Sequence, residues 1–377
     1  MSGRSLRIVH TESSLGWGGQ EIRILLESQG LIRRGHDVRL VCAPESRIYV
    51  EAANWGVPAA ALPIAKKRLA GLRALIEWFR EHRCDVVSTH SSTDSWLAAL
   101  ALLTLGRPAP MVRTRHISAA VPRDPLTRWL YTRAAARIVT TGEALRKRLI
   151  EENRVPAHRI VSVPTGMDAG RFRPAERAAA REKLGLPADR ILVGIVATLR
   201  SWKGHSYLIE ALARLPEAIH LVIVGDGPQR EVLQAQVARS GLGERVRFAG
   251  DQADVLPWLR ALDIFALPSY ANEGVPQALV QAMLVELACV TTAVGGIPEI
   301  AEHERTALVV PPRDAGALAA AIARLAADPA RRRELGEAAR RRCVEGFSLE
   351  RMLDRMEALY REVAGVRNGG GPASPAV

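Results

Sequence analysis

At 377 residues the chain is too long for one ordinary hydrophobic core and ample for two, at roughly 100–200 residues per domain. Hydrophobic residues make up 48% and charged residues 24%, an average globular balance that excludes disordered and fibrous classes. Net charge is +12, and it is uneven: residues 1–170 hold 25 basic and 15 acidic side chains, the remainder 27 and 25.

The first half reads as short β-branched runs alternating with longer amphipathic ones. Strands are expected at Leu6–His10, Val38–Cys42, Val86–Thr89, Met111–Thr114, Ile138–Thr140 and Ile160–Val163. Helices are expected at Gln20–Arg34, Leu72–His82, Thr93–Leu103, Pro125–Ala135 and Glu143–Glu151. The pattern halts at Pro164–Asp168, runs through a polar stretch 171–190, and resumes. The second series has strands at Ile191–Ala197, Leu221–Val224, Val246–Phe248, Ile264–Leu267, Val290–Thr292 and Ala307–Val310. Its helices fall at Ser206–Leu215, Gln229–Ser240, Ala253–Ala261, Pro276–Leu287, Ala315–Ala327 and Ala330–Glu345. Many of the strands are near-continuous apolar runs, as parallel sheets covered on both faces require. The fold class that follows is α/β with two Rossmann-like doubly wound domains, 1–168 and 169–348. A last helix spans 349–367, and the Gly/Pro/Ser/Ala tail 368–377 is expected to be disordered.

The longest largely apolar run, Trp96 to Leu105, is ten residues. About 20 are needed to span a bilayer, so no transmembrane helix is expected. Leu6–His10 reads as a strand rather than the apolar core of a signal peptide, and the chain reads as cytoplasmic. Cys42, Cys84, Cys289 and Cys343 are scattered, with no metal or disulfide spacing. A basic first half suits an anionic partner, unless the arginines serve solubility alone.

Ligands of doubly wound sheets sit at the carboxyl ends of strands, beside helix N-termini. The residues there are informative. Gly16-Trp17-Gly18-Gly19 follows the first strand and opens a helix, where free N–H groups can face a phosphate. Arg200 and Lys203 follow the first strand of the second half, two cations able to grip a diphosphate. Gly225-Asp226-Gly227-Pro228 follows the next strand, with Pro228 read at the first helical position. Glu273-Gly274-Val275-Pro276-Gln277 is read as opening a helix, with Glu273 near its dipole and Gln281 two turns on. Gly295-Gly296-Ile297-Pro298-Glu299 closes the series.

In order and spacing these motifs, together with Val163–Asp168 and Phe172-Arg173-Pro174, resemble those of the retaining glycosyltransferases of family 4 with the GT-B fold. The resemblance covers nearly the whole chain. It implies two lobes facing a cleft, with the first lobe completed by the last helix and binding the acceptor. The second lobe would bind the donor, a UDP- or GDP-sugar serving as co-substrate, with no metal or other cofactor. Arg200 and Lys203 match the family's diphosphate-binding pair. Glu273 matches the first acid of its E-x7-E motif, which holds donor-sugar hydroxyls near the N–H groups of Gly274, Val275 and Gln277, with Pro276 among them. The second acid, which bonds the ribose, is replaced by Gln281. An amide still accepts from a hydroxyl, so altered nucleotide affinity is expected rather than a dead enzyme. Gly18, Gly19 and Gly225 would contribute to the donor site. His116 matches the family histidine facing the donor sugar; His90 and Arg115 are acceptor-side candidates.

The implied reaction is hexosyl transfer to a lipid-linked or phosphorylated saccharide of lipopolysaccharide type, with the basic half resting on an anionic membrane surface. A nucleotide-sugar epimerase of the same fold is the alternative. A nucleic-acid-binding protein ranks last, because aromatics are 5% and no recognition module is visible. Neither half carries a complete G-x-G-x-x-G, which excludes a dinucleotide oxidoreductase.

Overall fold

The computed structural model describes residues 4–117 and 119–365. Within them the chain forms two compact units, one of residues up to 164 together with those from 350 onward, the other of residues 165–349. The expected tail 368–377 and the end of the last helix lie outside the described residues.

The first unit runs β1 (Arg7–Glu12), α1 (Gly19–Arg33), β2 (Asp37–Cys42), α2 (Arg47–Asn54), β3 (Ala59–Ala61), α3 (Leu69–Glu81), β4 (Val86–Thr89) and α4 (Ser92–Thr104). It continues with β5 (Met111–Arg115), α5 (Pro125–Trp129), β6 (Ala135–Thr140), α6 (Glu143–Asn153) and β7 (Ile160–Ser162). The seven strands are ordered β3-β2-β1-β4-β5-β6-β7, and every pair is parallel. Chain order reverses between β1 and β4, the position where open sheets leave a crevice for ligands.

The second unit runs α7 (Arg177–Leu184), β8 (Ile191–Val196), α8 (His205–Leu212), β9 (Ile219–Val224), α9 (Arg230–Arg239), β10 (Val246–Gly250) and α10 (Leu256–Ala261). It then adds β11 (Ile264–Leu267), α11 (Gln277–Leu284), β12 (Ala288–Thr292), β13 (Leu308–Val310), α12 (Ala315–Ala327) and α13 (Pro329–Gly346). Its six parallel strands are ordered β10-β9-β8-β11-β12-β13, with the reversal between β8 and β11. No helix among the described residues is long and apolar enough to cross a membrane.

Helix α14 (Leu349–Val363) is amphipathic, burying Met352, Leu353, Met356, Leu359 and Tyr360. Leu353 fills the space over Gly30 of α1, and Tyr360 reaches Glu27 of the same helix. Residues 165–168 belong with the second unit, because the Met167 N–H donates to the Phe347 carbonyl (2.9 Å) and the Met167 carbonyl accepts from the Leu349 N–H (2.9 Å). That exchange places the boundary at residue 164, ahead of the position the sequence pattern suggests.

Four local features differ from the periodicity. The segment after Cys42 holds α2 and β3; β3 is an all-alanine edge strand, without the β-branched residues that mark strands. The polar stretch after Arg171 holds α7, whose one buried residue, Arg181, has no apolar partner pattern. Its guanidinium donates to the carbonyls of Ala261, Ala188 and Arg190 and pairs with Asp263, pinning α7 at the entry to β11. The helix expected over Pro125–Ala135 turns π-helical at Leu130–Ala134, and Ala135 already pairs in the sheet. Finally, α9 begins at Arg230, so Pro228 precedes the helix rather than opening it.

A β-carbon added at Gly30 would lie 2.4 Å from a Leu353 methyl. Gly30→Ala should therefore destabilise the protein by about 1–3 kcal/mol through overpacking. Leu353→Ala in the same chain should make the double variant less destabilised than the sum of the two, as measured by urea unfolding.

Candidate functional site

In the second unit, the turns that follow β8, β9, β11 and β12 interlock backbone against backbone. Gly225 adopts φ +128°, and a β-carbon there would fall 2.1 Å from the Ala197 carbonyl oxygen. Gly295 adopts φ +59°, with the Glu273 carbonyl oxygen at the same 2.1 Å. Only glycine satisfies both demands, a left-handed backbone and no side chain. The glycines thus bring the turns into contact rather than decorating them.

This scaffold positions Glu273. It is buried, 4% exposed, and its Oε1 accepts from the Ser269 hydroxyl (2.6 Å) and from Lys203 Nζ (2.6 Å). Glu273 lies in the turn ahead of α11 and not in the helix, which starts four residues later at Gln277. The helical stabilisation expected for its carboxylate is replaced by the lysine and the serine. Lys203 is half-buried. Arg200 is exposed, its guanidinium over the Trp202 ring at 5.7 Å, and it stands outside the lysine–glutamate pair. Gly274 is half-buried, Val275 and Pro276 are buried, and Gln277 begins α11. Gln281, on the second turn of α11, is half-buried and donates from Nε2 to the Met167 sulfur at 3.5 Å.

Sequence reasoning missed the aromatic edge of this group. The Tyr270 ring carries the Arg313 guanidinium at 4.4 Å on one side and meets Tyr207 edge-on at 6.0 Å. The left-handed φ of +62° at Arg313 has no sequence signal, since arginine does not favour it.

In the first unit, Gly18 caps α1 in an extended conformation and Gly19 is its first residue. Beneath this loop Glu12 is buried, accepting from the Ser14 N–H (2.6 Å), the Gln20 amide (2.5 Å) and the Ser91 hydroxyl. Burial pushes its carboxyl well above the usual carboxylate range, and the nearby Asp94 adds to the effect. Asp94 closes a capping box with Ser91 at the start of α4 and accepts from Thr11 (2.8 Å). A Ser-x-x-Asp pattern was present in the sequence at 91–94 as the signal for it.

His116 follows β5 and is half-buried. Its Nε2 lies 3.0 Å from Nδ1 of His90, and His90 Nε2 lies 2.9 Å from Nδ1 of His10. His90 is buried with both ring nitrogens taken by histidines, so it presents neither to an acceptor. Arg115 donates to the Ala119 carbonyl at 2.6 Å, which ties down the loop beyond β5. His10, inside β1, is a member of this group that the sequence pattern hid within an apolar strand.

Two successive Rossmann-like doubly wound units are the architecture of the GT-B class of glycosyltransferases. Residues 176–342 match the family model for glycosyl transferases group 1, and residues 17–171 match that for glycosyltransferase family 4. A D-inositol 3-phosphate glycosyltransferase from Xylanimonas cellulosilytica is 28% identical over 367 residues, covering 86% of this chain and 87% of that one. Among solved structures, a glycosyltransferase from Rickettsia africae superposes with a TM-score of 0.85 at 21% identity, over 95% of this chain and 98% of that one. Anabaena Alr3699/HepE in complex with UDP-glucose gives the same TM-score of 0.85 at 21% identity, over 95% and 100%. The chain belongs to glycosyltransferase family 4 and is a glycosyltransferase.

Buried His205, the first residue of α8, provides a check on the packing around Lys203. Burial lowers its pKa to about 3, with the Lys203 charge adding to the effect. An unfolded histidine titrates near ~6.5, so the unfolded state takes up the proton first as pH falls. Stability at this position is complete above pH ~6.5 and declines below it, by about 2 kcal/mol at pH ~5. His205→Gln should flatten the slope of unfolding free energy against pH over that interval, as measured by urea titration.

Proposed function

We propose that this glycosyltransferase moves a sugar, with retention at the anomeric carbon, from a UDP- or GDP-sugar to a hydroxyl of a lipid-linked or phosphorylated saccharide. The observation that carries the reading is the Lys203–Glu273–Ser269 cluster, held by backbone contacts at the carboxyl ends of β8 and β11. An ammonium has three protons, so Lys203 keeps Glu273 while donating to a phosphate oxygen. The Glu273 carboxylate retains lone pairs for sugar hydroxyls. As the donor bond breaks, negative charge grows on the leaving diphosphate. Lys203, Arg200 and the N–H dipoles at the start of α11 stabilise it without a metal. The leaving phosphate takes the proton of the acceptor hydroxyl, which attacks from the same face. By the family resemblance His116 is assigned to a donor-sugar hydroxyl and Gly18 and Gly19 to the donor, and Gln281 accepts from the ribose.

The UDP-glucose bound to the Anabaena neighbour supports a nucleotide-sugar donor, and the inositol phosphate in the relative's name supports a phosphorylated acceptor. The basic excess of residues 1–170 supports association with an anionic membrane surface at its cytoplasmic face. No role for nucleic acid follows from it.

A thermal-shift screen of UDP- and GDP-sugars, then NMR of the product linkage, tests the reading. Retained configuration is expected; an inverted linkage removes it. Lys203→Ala and Glu273→Ala should each lower turnover about 100- to 1,000-fold. Near-normal rates in either contradict the assigned roles. Sedimentation with anionic vesicles should occur at low salt and weaken as salt rises. Binding that ignores salt, or none at all, counts against the membrane surface.

A further inference from the structure

His10 stands in β1, and His90 and His116 stand one residue past the ends of the neighbouring strands β4 and β5; the register of the sheet explains how they meet. His10 of β1 lies opposite Ser88 of β4, and Thr89 of β4 lies opposite Arg113 of β5. His90 is therefore two residues beyond the position facing His10, and His116 is two beyond the position facing His90. A step of two keeps side chains on one face of a pleated sheet. Neighbouring strands are about 4.8 Å apart, so rings on this diagonal come into contact. The ring centroids are separated by 5.2 Å at each step.

The contacts run head to tail, Nδ1 of one ring to Nε2 of the next. A neutral imidazole has one N–H and one lone pair, so such a file has two states. Either every ring carries its proton on Nε2, or every ring carries it on Nδ1. The far end decides between them. His10 Nε2 has no hydrogen-bond partner among the described residues and faces Glu27 Oε1 at 4.0 Å. Glu27 is fully buried and held as an acceptor by the Tyr360 hydroxyl at 2.6 Å, with Arg23 at 3.6 Å from its other oxygen. A lone pair on His10 Nε2 would face that carboxylate with like polarity, whereas an N–H faces it favourably. The positive groups near the rings, Arg23, Arg113 and Arg115, disfavour an added proton, and burial lowers the pKa of all three histidines.

We propose that His10 and His90, backed by Glu27, are positioning residues that lock His116 in its Nε2–H tautomer, so that His116 Nδ1 offers a lone pair to a hydroxyl of the bound sugar. The contact with sugar rests on the reading given above; the tautomer does not. The ligand chemistry at this nitrogen is that of a hydrogen-bond donor. A carbonyl or carboxylate placed there would meet a lone pair.

Long-range nitrogen–proton correlation NMR on the full chain, labelled with 15N-histidine and free of donor at pH 7.5, reads the tautomer directly. His116 is assigned by the signal lost in His116→Gln. The expected result is a single Nε2–H form at His10, His90 and His116. A Nδ1–H form, or a mixture, at His116 in the unaltered protein overturns the proposal and needs no variant to fold. His10→Phe keeps a ring in place but ends the file at His90. His116 should then shift from one tautomer to a mixture of two, and an unchanged single form in that folded variant also overturns the proposal. Glu27→Gln gives the same reading if His10→Phe does not fold. Because no donor is present, a failure here is separate from a failure of sugar transfer.

Discussion

Parallel strands can be joined only by crossovers that carry the chain back to the same end of the sheet, so every turn after a strand gathers along one edge. In both units of this enzyme that constraint gathers the candidate residues. Residues far apart in sequence, such as Lys203 and Glu273 or His10, His90 and His116, become neighbours because each follows a strand or, like His10, lies within one that pairs beside it. The helices between them set the spacing, and the reversal of strand order opens room beside the turns.

The two edges are built by different means. In the second unit, main chain packs on main chain at Gly225 and Gly295, and the side chains that matter are few and short of freedom. In the first unit, side chains do the packing. A polar file runs from the strand ends through His90 and His10 to Glu27 and Tyr360, beside the apolar core of the same unit. The hydrogen bonds from Tyr360 to Glu27 and between His90 and His10 tie the file together, and His10 Nε2 stands 4.0 Å from Glu27 where the two meet.

Much of this was legible in the sequence. Val86–Thr89, Ile264–Leu267 and Ala315–Ala327 form as the periodicity says, because they are apolar runs with clear ends. The glycines at 225 and 295 announced strand-end turns. Where stability comes from polar contacts, periodicity has nothing to register, as with Arg181 holding α7 through carbonyls and Asp263. The same applies to His10, whose partners are set by strand register. Glu273 stood out in the sequence as a candidate, but not its partners Lys203 and Ser269, which meet it only once the strand-end turns are folded.

Tyr360 closes the polar file of the first unit, reaching Glu27 at 2.6 Å and lying 3.0 Å from Ser88, yet it comes from a helix near the end of the chain. During synthesis the ribosome releases residues 4–164 long before that helix exists. Until α14 emerges, Leu353 cannot cover Gly30, and Glu27 stays in contact with water. The unit translated first is thus one whose maturation waits for α14, and a polypeptide stalled before that helix carries an unsealed first unit for chaperones and proteases to find.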